Sequence, residues 1–206
     1  MSLYEDRILP WGIDKACGSR NFSKRRAQLF SAHPIGGVVV EIGFGSGTNI
    51  PFIPSTVTKY LAVDPATRAR KYAEKRLANH PLNLEYVGLD GAQLDLEDAS
   101  VDHVVSTMSL CTIPDVKQAL SEAQRVLKPG GSLVFLEHGL SPDPKIARRQ
   151  EKFNPIQNKL FGGCNLNRDM FALIADSGLH LSGTSSFQMP GPKILGYMYS
   201  GAATKG

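Results

Sequence analysis

The chain has 206 residues, 42% hydrophobic and 20% charged, and its 23 Lys and Arg outweigh 19 Asp and Glu for a net charge of +4. That length suits one well-buried domain spanning 1–206, and the ordinary composition excludes repeats, low-complexity tracts and extended disorder. The basic residues are spread over Lys24-Arg25-Arg26, Arg68 to Arg76 and Arg148-Arg149. They read as solvated helix faces rather than the concentrated, aromatic-interleaved surface that binds nucleic acid.

Glu5, Asp6, Arg7, Asp14 and Lys15 break up the first thirty residues. The sequence therefore predicts no signal peptide, no integral membrane segment and a cytoplasmic protein. Cys17, Cys111 and Cys164 lack the close pairing of a zinc or CxxC site, so no metal is expected and the cysteines read as small packing residues. Residues 4–20 hold Tyr4 and Trp11 among glycine and proline breaks and fit no periodic pattern, whereas 21–30 predict a helix carrying Phe22, Leu29 and Phe30. Residues 1–36 are together expected to form a helical lid over the core at 37–206, with Tyr4 and Trp11 either above the site or packed on the core.

From residue 37 onward, short apolar runs alternate with amphipathic stretches, the pattern of βαβ units building a parallel sheet. The runs at 38–42, 60–63, 84–87, 101–105 and 133–136 are the predicted strands. Between the last two, 114–128 places Val116, Ala119, Leu120, Ala123, Val126 and Leu127 on one helical stripe, and Pro129-Gly130-Gly131 is expected to stop the helix and turn the chain. A further helix is predicted over 167–178, with Asn167 as N-cap and Gly178 past its end. Strands at 179–188 and 194–200 follow, joined through Pro190-Gly191-Pro192 in a hairpin-like connection.

The chemistry-bearing residues cluster at the ends of these strands. Gly43, Gly45 and Gly47 follow the first strand in a G-x-G-x-G turn, where missing side chains let the backbone approach a nucleoside-sized ligand. A dinucleotide site has G-x-G-x-x-G, so an NAD-linked oxidoreductase is disfavoured. Asp64 ends the second strand, next to the turn in a parallel sheet, where its carboxylate can accept from ribose hydroxyls. It can equally cap the segment opened by Pro65. Asp90, Gly91 and Ala92 follow the third strand at the same edge, as an adenine contact or a plain turn.

At Glu41-Ile-Gly-Phe-Gly-Ser-Gly47, Ala62-Val-Asp64, Asp98-Ala-Ser-Val-Asp-His-Val-Val105 and Arg125-Val-Leu-Lys-Pro-Gly-Gly131 the chain resembles class I S-adenosylmethionine-dependent methyltransferases. The resemblance implies an α/β Rossmann-like fold: a mostly parallel seven-stranded sheet, helices on both faces and an antiparallel C-terminal strand. It implies S-adenosylmethionine as cofactor, with the glycine turn at its methionine part, Asp64 on ribose and Asp90 by adenine. Glu41, Asn49, Pro65, Gly91, Ala92 and Ser106 complete the expected cofactor set. Many members have Ala-Glu where this chain has Gly91-Ala92.

Ser106-Thr-Met-Ser-Leu-Cys-Thr-Ile-Pro-Asp115, Leu136-Glu-His-Gly139 and Phe161-Gly-Gly-Cys-Asn-Leu-Asn-Arg-Asp169 resemble bacterial relatives of the methyltransferase-like thiol S-methyltransferases, some of them labelled phospholipid N-methyltransferases. The eukaryotic members carry an N-terminal membrane anchor, and none is expected here. The implied acceptor is a small hydrophobic thiol attacking the sulfonium methyl in line, a reaction in which the protein chiefly positions its reactants. A thiol with pKa ~8.5 must lose its proton, and His138 at the end of the fifth strand is the candidate base. Trp11, Met108, Cys111, Asn165 and Arg168 are candidate acceptor contacts. An N- or O-methyltransferase of a small molecule or phospholipid headgroup, and a non-catalytic nucleoside-binding module, are the competing expectations.

Overall fold

The computed structural model of the chain describes residues 9–206, with side chains from residue 11 onward, so Tyr4 lies outside the described residues. The order of elements is α1 (Leu9–Cys17), α2 (Arg20–Ala32), β1 (Gly37–Ile42), β2 (Val57–Val63), α3 (Arg70–Leu77), β3 (Leu84–Gly88), β4 (Val101–Thr107), α4 (Val116–Val126), β5 (Leu127–His138), α5 (Pro144–Leu160), α6 (Met170–Asp176), β6 (His180–Gln188) and β7 (Tyr197–Thr204). The strands form one sheet in the order β3-β2-β1-β4-β5-β7-β6. The first five are parallel, and β7 runs antiparallel to both of its neighbours, β5 and β6.

The unbroken valine run of β1 reflects burial on both faces. Val40 and Ile42 join Leu61, Val104, Leu133 and Phe135 beneath α4 and α6, where Leu120, Ala123, Met170 and Ile174 meet them. Val39 points the other way, joining Tyr60, Ala62, Val105 and Val134 against Leu29 and Phe30 of α2 and Ala73 of α3. Alternation along each strand thus supplies two cores, one per face. The outer strand β6 is exposed almost throughout.

Several local expectations shift. Helix α4 begins at Val116, capped by Asp115, whose side chain accepts from Gln118 N. It passes straight into β5, so Pro129-Gly130-Gly131 forms an irregularity inside a long strand rather than a turn ahead of one. Asp169, not Asn167, caps α6 by accepting from Ala172 N, while Asn167 donates to Glu151. Helix α5 has no clear apolar stripe; its signal is Asp143 followed by Pro144 at the first helical position, a cap that accepts from Lys145 N and Ile146 N. Between β1 and β2 the chain makes only a single 3₁₀ turn, Ile50–Phe52, and Pro54 follows shortly after it.

Gly178 closes α6 at φ +85° with open space where a Cβ would stand. Gly178→Ala therefore tests backbone conformation alone. The expected loss is about 1 kcal/mol, read as a fall in Tm of roughly 2–4 °C for a domain of this size.

Candidate functional site

The order of strands reverses between β1 and β4, and ligands of open α/β sheets bind in the crevice at such a switch point. Here it opens into a cavity of about 480 Å³. Its walls come from the segments after β1, β2, β3 and β4, with Ile13 and Cys17 of α1 and Gly162 and Gly163 of the α5–α6 loop. The N-terminal segment thus contributes to the wall through α1. Trp11 is 54% exposed and is not among the lining residues.

One half of the cavity is main chain and carboxylate. Gly43, Gly45 and Gly47 all have positive φ. A Cβ at Gly43 would collide with Ser109, whereas one at Gly45 would meet only Asp64 Oδ2, at 3.9 Å, and would otherwise enter the cavity. Asp64 is tied to the turn: its Oδ2 accepts from Gly45 N at 2.7 Å and its Oδ1 from Ala66 N at 2.6 Å. Burial raises the Asp64 carboxyl above its ordinary value, opposed by those two amide bonds. Pro65, Asp90 and Gly91 also line the cavity, with Asp90 exposed and accepting from Ala92 N at 2.8 Å. Gly47 and Ala92 do not line it: Gly47 faces Ile50 and Ala73, and Ala92 packs on the core.

Glu41, Asn49 and Ser106 lie beneath the cavity rather than in its wall, each almost completely buried. Asn49 Nδ2 and Tyr60 OH donate to the two Glu41 oxygens, both at 2.7 Å, while buried Arg26 donates from Nε to Asn49 Oδ1 at 2.8 Å. Burial pushes the Glu41 carboxyl from 4.5 to about 8, against the pull of Tyr60, Arg26 and Asn49. Arg76, which sequence reasoning did not single out, donates to Ser46 O in the turn at 2.7 Å and pairs with Asp14 of α1 at 2.8 Å. It fastens helix to turn.

Glu137, next to His138 at the end of β5, is not a lining residue either. It is fully buried and accepts from Ser106 Oγ (2.7 Å), Ser109 N (3.0 Å), Leu110 N (3.1 Å) and Cys111 N (3.2 Å). The loop leaving β4 is thereby drawn onto the end of β5. Its first residue, Met108, lines the cavity at φ +62°, a conformation that a side chain tolerates only under such constraint.

The remaining candidates divide the same way. Arg168 donates to Leu110 O and Pro114 O, and Asn165 binds Cys111 O through both its N and Nδ2. Both tie the α5–α6 loop to the β4–α4 loop, and neither is a lining residue. Cys111 is wholly buried, with its Sγ 3.8 Å from that of Cys164. His138 faces a separate depression of about 170 Å³ with Phe22, Met189 and Pro190, and its Nδ1 is 3.5 Å from Cys164 Sγ. Its nearest chemical partner is a cysteine of the protein.

Residues 40–135 match the methyltransferase domain family. A human protein, thiol S-methyltransferase TMT1A, is 30% identical over 195 residues, covering 87% of this chain and 80% of its own length. The chain belongs to the class I S-adenosylmethionine-dependent methyltransferases. The phosphatidylethanolamine N-methyltransferase of Cereibacter sphaeroides is 27% identical over 154 residues, 73% of this chain and 75% of its own. A geranyl diphosphate methyltransferase solved with S-adenosylmethionine has the same fold, with a TM-score of 0.66 at 15% identity over 92% of each chain. This methyltransferase accordingly uses S-adenosylmethionine to modify a small molecule. No helix among the described residues is long and apolar enough to cross a membrane.

Two outcomes are expected from these contacts. Because folding favours neutral Glu41, the stability it contributes is complete below about pH 4.5 and is lost as pH rises through about 8. In urea unfolding, Glu41→Gln should therefore gain on the parent between those limits. Asp64→Ala should weaken binding of S-adenosylhomocysteine by about 1–3 kcal/mol in calorimetry, the range for unpairing buried polar groups.

Proposed function

We propose that this methyltransferase methylates the sulfur of a small hydrophobic thiol. In this reading the donor lies along Gly43, Gly45, Asp64, Pro65, Asp90 and Gly91. The acceptor rests against Met108, Thr112, Ile113 and Pro114, and residues 9–36 act as a lid through Ile13 and Cys17.

The observation that carries the reading is the chemistry of the acceptor end. The titratable lining residues Asp64, Asp90, Arg26 and Cys17 belong to the donor half and the lid, while Met108, Ser109, Thr112, Ile113, Pro114, Gly162 and Gly163 offer no acid or base. An alkylammonium brought there would be stripped of water without a carboxylate among the described residues to pair with it, at a cost of several kcal/mol. An alcohol would need a strong base. A thiol ionises by about a few per cent at neutral pH without help and is strongly nucleophilic once ionised. The likeness to the human thiol S-methyltransferase points the same way.

The cofactor supplies an electrophilic methyl group on a sulfonium, so that its S–CH₃ bond breaks as the acceptor S–CH₃ bond forms, releasing S-adenosylhomocysteine and leaving the thiol proton with water. The protein's share is positional. Glu137 holds the β4–α4 loop in place, the apolar wall excludes water from the reacting sulfur, and the main-chain turn with Asp64 fixes the donor.

Incubation with methyl-labelled S-adenosylmethionine and a panel of alkyl and aryl thiols, amines and phenols tests the reading. Thiols should be labelled, with rates that rise about tenfold per pH unit below the acceptor's own pKa and level off above it. The midpoint should move with the acceptor when thiols of different acidity are compared. Labelling confined to amines or phenols overturns the proposal.

A further inference from the structure

Cys111, His138 and Cys164 come from three separate segments: the loop after β4, the end of β5 and the α5–α6 loop. The Cys111 Sγ and Cys164 Sγ atoms and one ring nitrogen of His138 all lie within 4.8 Å of one another. The two measured contacts, 3.8 Å between the sulfurs and 3.5 Å from Cys164 Sγ to His138 Nδ1, can be compared with a tetrahedral zinc site. Zn–S bonds of about 2.3 Å and Zn–N bonds of about 2.05 Å give edges of about 3.8 Å between two sulfurs and about 3.6 Å between sulfur and nitrogen. Two edges of such a polyhedron are already formed.

A second feature points to a ligand at the same place. Gln157 of α5 is 5% exposed, and its amide interacts with Cys164. Its Oε1 is nevertheless buried with no hydrogen-bond partner. A buried acceptor left unpaired costs about 1–3 kcal/mol. A water or thiol donating from a metal's fourth position would satisfy it.

We propose that Cys111, Cys164 and His138 form a binding site for a soft divalent cation of the zinc class. The site leaves one coordination position to a small exogenous donor that hydrogen-bonds to Gln157 Oε1. Binding displaces one proton from each thiol to solvent, and the resulting two thiolates cancel the charge of the ion, so no net charge is buried. Neutral His138 ligates through Nδ1 and keeps its other ring nitrogen protonated. The ion would join three segments, and Thr112 and Gly163, the chain neighbours of the two cysteines, are themselves cavity wall. It therefore braces the wall from behind. This role is independent of which element of the acceptor is methylated.

The full-length protein, reduced, freed of metal by a chelator and kept anaerobic, would be titrated with cobalt(II), zinc and cadmium. One equivalent should bind, with a sulfur-to-metal charge-transfer band of two-thiolate intensity and a rise in Tm. Cys111→Ser, Cys164→Ser and His138→Asn should each lower affinity by more than the roughly 10–100-fold that follows loss of an outer partner, and Gln157→Leu should fall within that range. Cys17→Ser should retain the band and the stoichiometry. Binding of S-adenosylhomocysteine reports folding of every variant, and His138→Asn and Gln157→Leu keep the test decisive if a cysteine variant fails to fold. Absence of stoichiometric binding overturns the proposal, as does a band that disappears with Cys17. A Cys111–Cys164 disulfide in place of metal binding in the reduced protein overturns it equally.

Discussion

A carboxylate removed from water must be surrounded by donors, and Glu137 shows how much structure one such requirement can organise. Its oxygens accept from three consecutive main-chain amides, Ser109 to Cys111, and from the Ser106 hydroxyl. Those four donors belong to the end of β4 and the loop beyond it, while Glu137 belongs to β5. The bond set therefore fixes the path of the chain as it leaves β4, and with it Met108 in its strained conformation, Thr112 and Ile113 on the cavity wall, and Cys111 against Cys164. Burial raises the Glu137 carboxyl while the Ser109 amide and its fellow donors lower it.

Glu41 plays the corresponding part on β1. It anchors Asn49 and Tyr60, and through Asn49 reaches Arg26 of α2. The helix that precedes the sheet is thus linked to the floor beneath the glycine turn. Arg76 makes a matching link above, between α1 and the carbonyl of Ser46. The turn is held from both sides, leaving Gly45 free to face the cavity. A preformed turn of this kind lowers the ordering cost of binding a nucleoside ligand.

Polar side chains near a cavity need not be its contacts. Arg168 and Asn165 sit in a polar loop close to the site, yet they satisfy carbonyls of Leu110, Pro114, Cys111 and Gly163. They build the wall. Loops that carry irregular main chain into a partly buried region need such partners for their carbonyls and amides. The result is a division of labour in which the wall around Met108, Thr112, Ile113 and Gly163 carries no charge, the carboxylates of Asp64 and Asp90 line the other half, and Arg168 and Asn165 hold the frame behind.

The sequence by itself determined the alternating α/β order, the parallel core with two terminal strands, the glycine turn and the position of Asp64 at a strand end. Each is a local matter of periodicity, β-branched runs and glycine spacing, and local patterns survive without knowledge of neighbours. The family was legible for the same reason, since its motifs are contiguous. Tertiary structure alone decided which of the flagged residues line the cavity. Glu41 and Ser106 sit in or near motifs but turn into the core, because successive side chains of a strand face opposite ways and the packing partners of each face come from distant segments, and Asn49 follows Glu41 inward through their hydrogen bond. His138 met a cysteine, 26 residues away in sequence, and Cys111 met Cys164 across 53. Such pairings depend on where two loops cross, and no spacing rule within one segment encodes that crossing.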